Sequence, residues 1–250
     1  MAEPLKINRG RVDLFEQTHY SRGEEKGEVE QILSWYKKTW EAAGRPAGGA
    51  RVLELGCGPG LHSIALAKNG FTVTSLARTE SALNAAKERA ADVPNVEFHL
   101  SDIENDTLVP YGIQNLVISL GNTVSQLKRS SLMVLFDRVR RLLAPRGAFV
   151  FNAVYWSQPF SKNVIERDAS GEISVIWERE LLEDKGTVLM KGHFVKENYD
   201  QSFEVNCFKI PEMLNLLEMA GLRQIRWSHR LDFKGKNLAG AASIYYRASR

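Results

Sequence analysis

The stretch Val52-Leu53-Glu54-Leu55-Gly56-Cys57-Gly58-Pro59-Gly60 is where residue types and spacing converge on chemistry. Glycines at 56, 58 and 60 permit a sharp turn and let a ligand approach backbone where no Cβ intervenes. A helix starting at Leu61 would aim its first N–H groups at that ligand. Glu54, two residues before the first glycine, is an acid placed to organise the turn and to face a ligand's ammonium end; Cys57 lies within the turn. A dinucleotide loop, G-x-G-x-x-G or its alanine-ended form, needs Gly or Ala at position 61 for close helix–strand packing. The residue there is Leu61. A tight turn without a ligand is the bland alternative, against which stands the conformational entropy lost by three glycines in five residues.

The surrounding pattern supplies the context such a turn needs. Arg51–Leu55 is a short apolar strand, and Leu61–Lys68 reads as a helix stopped at Asn69-Gly70. Strands are predicted at Phe71–Leu76, Val96–Leu100, Leu116–Leu120 and Ala148–Val154, with helices at Ser81–Ala91 and Ser130–Leu143. Strand–helix alternation with short loops predicts an α/β fold built on a parallel sheet covered on both faces. Upstream, Val29, Ile32, Leu33, Tyr36 and Trp40 follow helical spacing; residues 1–27 are polar and irregular. Downstream the rhythm changes. Ile173–Leu182, Thr187–Lys196 and Ser202–Phe208 read as three extended stretches joined by turns at Asp184-Lys185-Gly186 and Asn198-Tyr199-Asp200. They predict an antiparallel β insertion, residues 157–209, before a last helix opened by Pro211 and strands at Leu222–Trp227 and Ala242–Tyr246.

Composition narrows the partners. The 250 residues are 44% hydrophobic and 25% charged, the balance of a globular protein with its own core. Lys plus Arg (33) barely exceeds Asp plus Glu (30), too little to imply nucleic acid. The two cysteines have no metal-ligand spacing, so neither a metal site nor a disulfide framework is expected. No apolar run approaches a membrane span, and the N-terminus has no apolar targeting core, which makes the cytoplasm the expected location. A homo-oligomer stays open.

With those residues in view, the sequence resembles the class I S-adenosylmethionine-dependent methyltransferases, and in particular glycine N-methyltransferase and related small-molecule N-methyltransferases. The resemblance runs from about Tyr20 to Tyr246. It rests on Val52–Gly60, Gly70–Ser75, Ser119-Leu120-Gly121-Asn122-Thr123, Leu231-Asp232-Phe233-Lys234 and the long insertion. It implies a Rossmann-like, seven-stranded, mostly parallel sheet. S-adenosylmethionine would lie at the carboxyl ends of the first strands, and the methyl group would go to a small molecule, at an amine nitrogen. It further implies that Gly56, Gly58 and Gly60 cradle the methionine half of the cofactor, that Asp102 accepts from the adenine amino group, and that Ile103 offers its backbone N–H to the ring. Leu120 would pass the reactive sulfur and Asn122 would stand near the substrate. Residues 1–27 would form an arm over the cofactor, with Tyr20, Arg22 and Lys26 as its candidates, in front of a methyltransferase domain spanning 28–250. Helix or turn capping is the alternative for Asp102, and turn formation for Asn122.

One position departs from the family. Its second strand ends in an acid that accepts both ribose hydroxyls; here Ala77 and then Arg78 stand there, with Glu80 beyond. Three accounts stay open: another group holds the ribose, the ligand is NADP in an oxidoreductase with Arg78 on its 2′-phosphate, or the chain is a degenerate methyltransferase-like binding protein. Methyl transfer is an in-line displacement at a sulfonium, which demands positioning in a dry site and no catalytic triad. Asn122 and Tyr155 are the residues expected to position substrate. Asn152 and Trp156 are further lining candidates, Arg179 and His193 lid candidates, and His62 a packing or capping residue.

Overall fold

In the computed structural model the described residues are 24–40, 48–156, 162–167, 171–196, 198–233, 238 and 241–250, with backbone alone for 24–26, 37, 39, 40, 164, 166 and 167. Among the described residues, helices and strands run in the order α1 (Glu24–Trp40), β1 (Arg51–Leu55), α2 (Leu61–Lys68), β2 (Thr72–Ala77), α3 (Glu80–Arg89), β3 (Val96–Leu100), β4 (Gln114–Ser119), α4 (Leu132–Leu142), β5 (Leu143–Val154), β6 (Asn163–Arg167), β7 (Ile173–Leu182), β8 (Thr187–Phe194), β9 (Tyr199–Asn206), α5 (Ile210–Met219), β10 (Arg223–Ser228) and β11 (Ser243–Ser249). Single turns of 3-10 helix at Val109–Tyr111, Thr123–Gln126 and Arg129–Ser131 complete them.

The apolar strands β1 to β5 join in parallel, and β11 and β10 close the sheet in antiparallel sense, giving the order β10-β11-β5-β4-β1-β2-β3. This is the seven-stranded, mostly parallel sheet that the resemblance implies. Both faces are buried because helices cover both. On α4, Leu132, Leu135, Phe136, Val139 and Leu142 form the stripe laid on the sheet. Phe136 meets Phe149 and Phe151 at ring separations of 5.7 and 5.4 Å, and Phe151 stacks on Tyr246 at 5.1 Å. Each such pair adds about 0.5–1.5 kcal/mol beyond its area burial. On the opposite face α1 inserts Val29, Ile32 and Tyr36, the last meeting Phe71 edge-on at 4.8 Å.

Three details differ from the sequence expectation. The insertion has four antiparallel strands, ordered β6-β7-β8-β9, because the short β6 adds to the outer edge of β7. Its five residues, broken by charges, carry little periodic signal. The fifth strand starts at Leu143 and runs through Pro145 and Gly147, where its pairing with β4 shifts register. The turn between β8 and β9 lies at 195–198, since Tyr199 already pairs with Phe194 and Asn198 takes the left-handed conformation (φ 45°) that frees it from the ladder.

Candidate active site

After β3 the chain crosses β2 and β1 to add β4 on the far side of β1. Successive connections therefore leave the sheet in opposite directions on either side of β1, and the crevice at the carboxyl ends of β1 and β4 is the topological switch point where open α/β sheets bind ligands.

The glycine turn closes one side of that crevice. Gly56 and Cys57 donate their N–H groups to the Leu76 carbonyl (2.9 and 3.0 Å), and Gly60 donates to the Cys57 carbonyl (2.9 Å). Gly56, Gly58 and Gly60 all have positive φ (76°, 50° and 81°). Packing adds to the demand for glycine at two of them. A Cβ on Gly56 would lie 2.4 Å from Thr123 Cγ2, and one on Gly60 2.8 Å from the Phe98 ring. Gly60 is also the N-cap of α2 and provides no side chain to its first N–H groups. Ser119 Oγ donates to the Leu55 carbonyl (3.0 Å), and Thr123 Oγ1 to the Gly56 carbonyl (3.4 Å), which stitches the ends of β1 and β4 together.

At the end of β4, Gly121 and Asn122 both adopt positive φ (67° and 58°), and the Asn122 N–H donates to Oδ1 of Asn152 on β5 (2.9 Å). Asn152 is buried, and the Oδ1 of Asn122 is a buried acceptor with no hydrogen-bond partner. Leu120 is packed into the core beside it. Tyr155, just past β5, forms a single bridge to Phe208, and Trp156 lies under the Lys209 ammonium at 4.9 Å. The structure thus gathers the glycine turn, Asn122, Asn152 and the start of the 155–156 segment at the ends of adjacent strands.

Other expected residues are placed differently. Glu54 is only 1% exposed and its carboxylate is directed at α2, where Ser63 Oγ donates to one oxygen and His62 Nδ1 stands 3.3 Å from the other. Ala77 is fully buried in an apolar cluster with Cys57, Ile64, Leu83 and Phe98. Arg78 is exposed and donates to Gln126 Oε1 (3.2 Å). Asp102 is exposed at the head of a turn, accepting from the Glu104 N–H (3.2 Å) and the Asn105 amide (2.7 Å); Ile103 beside it is buried. Arg179 and His193 fall on opposite faces of the antiparallel sheet, because Arg179 pairs with Met190, three residues from His193, and alternate residues of a strand face opposite ways. Arg179 is buried, whereas His193 lines an outer groove whose charges pair with one another, His193 with Asp200 (2.8 Å) and Lys191 with Glu178 (3.9 Å). Tyr20 and Arg22 lie outside the described residues, as does the side chain of Lys26.

The residues that sequence reasoning passed over are Glu28, Ser63 and Ser75, which with His62 surround Glu54. His62 Nε2 meets Glu28 at 2.8 Å, Tyr245 donates its hydroxyl to Glu28 (2.6 Å), and Ser63 exchanges a hydrogen bond with Ser75 on β2. Burial opposes charge on the His62 ring, but hydrogen bonds and charges from Glu28 and Glu54 outweigh it and raise its pKa to about 10. The available signal was the placing of polar residues inside otherwise apolar elements.

Comparison with known proteins identifies this architecture. Residues 52–147 match the family described as "Methyltransferase domain". The chain is 27% identical over 199 residues to the Bacillus subtilis (strain 168) protein named "Putative methyltransferase YqeM", covering 76% of this chain and 78% of that one. Its fold superposes on an S-adenosylmethionine-dependent methyltransferase from Clostridium acetobutylicum ATCC 824 with a TM-score of 0.74 at 15% identity, over 98% of this chain and 99% of the other. The sugar N-methyltransferase KedS8 from Streptoalloteichus sp ATCC 53650 gives a TM-score of 0.69 at 16% identity, over 96% and 92%. Residues 52–147 form a methyltransferase domain, within a fold shared with S-adenosylmethionine-dependent methyltransferases.

The crevice offers a ligand backbone groups at the glycine turn. The turn presents backbone between β1 and β4, and α2 begins without a side-chain cap. Ala77, at the end of β2, is buried and offers no side-chain acceptor. Among the described residues no helix is long and apolar enough to cross a membrane.

Proposed function

We propose that this methyltransferase acts on a small molecule at an amine nitrogen, in the manner of the glycine N-methyltransferase-like enzymes it resembles. The observation that carries this reading is the Asn122 carboxamide, whose buried Oδ1 has no partner and whose neighbour Thr123 meets Gly56 of the glycine turn. A buried acceptor left unmade costs about 1–3 kcal/mol, which a substrate N–H would recover. The side chains at the ends of β4 and β5, Asn122, Asn152, Tyr155 and Trp156, are neutral groups, suited to orienting a nucleophile whose lone pair is already available. The bound cofactor supplies a methyl group on a sulfonium. The chain's own residues hold the nucleophile in line and keep water out. Asn122 and Tyr155 orient the amine; Gly56, Cys57, Gly58 and Gly60 with Leu120 border the donor's methionine end, and Asp102 and Ile103 its adenine end.

The KedS8 neighbour is described as a sugar N-methyltransferase, in keeping with a nitrogen target. In the same reading residues 1–27 form an arm over the donor and the β6–β9 sheet a lid over the substrate. Methyl transfer from labelled S-adenosylmethionine to matched panels of small amines and alcohols tests the reading. Product carrying the label on nitrogen, lost on Asn122→Ala, supports it. Transfer to hydroxyl acceptors alone overturns it.

A further inference from the structure

Helix α2 begins Leu61-His62-Ser63 and then turns apolar, yet its two polar residues are among the most buried in the molecule, at 2% and 0% exposure. Both point at Glu54, the last residue but one of β1. Glu54 precedes the glycine turn and His62 and Ser63 follow it, so their contacts span residues 55–61 from one flank to the other. We propose that His62 is a positioning residue for the cofactor: with Ser63 it clamps the Glu54 carboxylate, fixes the separation of the two ends of the glycine turn, and ties that turn through Glu28 to α1 and β11. The inference rests on the reading that this turn holds S-adenosylmethionine.

The geometry leaves the ring little freedom. Its Nδ1 stands 3.3 Å from Glu54 and its Nε2 2.8 Å from Glu28, so both nitrogens are engaged by acids from different elements. Ser63 holds the second Glu54 oxygen and is itself bonded to Ser75, which adds β2 to the assembly. Tyr245 holds the second Glu28 oxygen from β11. One carboxylate, one ring and two hydroxyls thus link β1, α2 and β2 directly beneath the turn. Apolar side chains of the same volume would fill this space without desolvating two acids. What apolar packing would not supply is direction. Hydrogen bonds and ion pairs weaken steeply with misalignment, so this cluster has one arrangement in which every group is partnered. A turn whose flanks are set this way presents its backbone to the ligand already in place, and binding need not order it.

In this assignment Glu54 does not meet the donor's ammonium group. It acts through His62 and Ser63 on the shape of the turn. The sequence expectation that Glu54 faces the ligand is replaced by one in which its charge stays inside the protein.

Calorimetric titration with S-adenosylhomocysteine, beside thermal melts, tests the proposal on four proteins: wild type, His62→Gln, Ser63→Ala and Leu217→Ala. Leu217 is fully buried on α5 and serves as a destabilised control remote in sequence from the turn. The proposal predicts that His62→Gln weakens binding about tenfold or more and Ser63→Ala by about threefold. Leu217→Ala should lower the melting midpoint while leaving affinity near wild type. If His62→Gln does not fold, Ser63→Ala against Leu217→Ala decides by the same comparison. Binding of folded His62→Gln within about twofold of wild type, or an equal loss in Leu217→Ala, overturns the positioning role while the cofactor reading stands. A wild-type protein that does not bind S-adenosylhomocysteine overturns the cofactor reading itself.

Discussion

The ends of β1 and β2 are hydrogen-bonded neighbours on one edge of the sheet, Leu55 beside Leu76, and they treat charge in opposite ways. At the end of β1 the chain buries a carboxylate, Glu54, and surrounds it with a histidine and a serine. At the end of β2 it has no charge to bury, and Ala77 joins Cys57, Ile64 and Phe98 in an apolar cluster. Burying a charge is tolerable only with full pairing, while an apolar residue needs only space to be filled. The polar solution produces a directional clamp on the adjacent turn. The apolar one gives stability but no side-chain acceptor. The two halves of one binding crevice are therefore specified to different degrees.

The largest expected effect lies on the polar side. Glu54→Ala leaves His62 with a single acid and Ser63 without its acceptor, and should lower stability by about 3–5 kcal/mol in urea denaturation. A loss below about 1 kcal/mol would mean that the cluster is not a coupled unit. On the apolar side, Ala77→Asp puts a carboxylate into the cluster of Cys57, Ile64 and Phe98, and the ligand-free protein should lose about 1–3 kcal/mol. S-adenosylhomocysteine should then bind this variant more tightly than wild type, since the ribose hydroxyls provide the donors that the new acid lacks. NADP should bind it less well, through repulsion of its 2′-phosphate. Unchanged stability with unchanged affinity would show that position 77 faces neither the cluster nor the ribose.

A pH dependence is also expected on the polar side. The His62 pKa, ordinarily 6.5, is raised to about 10 in the folded protein by Glu28 and Glu54, against the opposing effect of burial. Folding then takes up a proton between those values, so the contribution is whole below about pH 6.5 and is lost as the pH rises towards 10. The stability difference between wild type and His62→Gln should narrow over that window, by at most about 1.4 kcal/mol per pH unit. A difference that stays constant from pH 6 to 10 would place a neutral ring at this position.

Much of this was legible from residue order. The strands Arg51–Leu55 and Val96–Leu100 and the helix Leu61–Lys68 lie where apolar runs and Asn69-Gly70 put them. Local pattern suffices there because each element's burial is set by its own sequence. What was not legible depends on the partner across space. Glu54 reads as a ligand-facing acid until its strand is packed on α2, since nothing local says which side of the sheet residue 54 faces. The opposite faces of Arg179 and His193 follow from strand alternation, but only once the pairing register is known. The Glu28–Tyr245 contact joins residues 217 positions apart and leaves no trace in either segment.

The central claim is that the crevice over β1 and β4 holds S-adenosylmethionine despite the missing acid at position 77. Calorimetric titration of the wild-type protein with S-adenosylhomocysteine, followed by NADP in a separate run, tests it most directly. Saturable one-to-one binding of S-adenosylhomocysteine with no heat of binding from NADP is expected; saturable NADP binding with none for S-adenosylhomocysteine would overturn the assignment of this crevice.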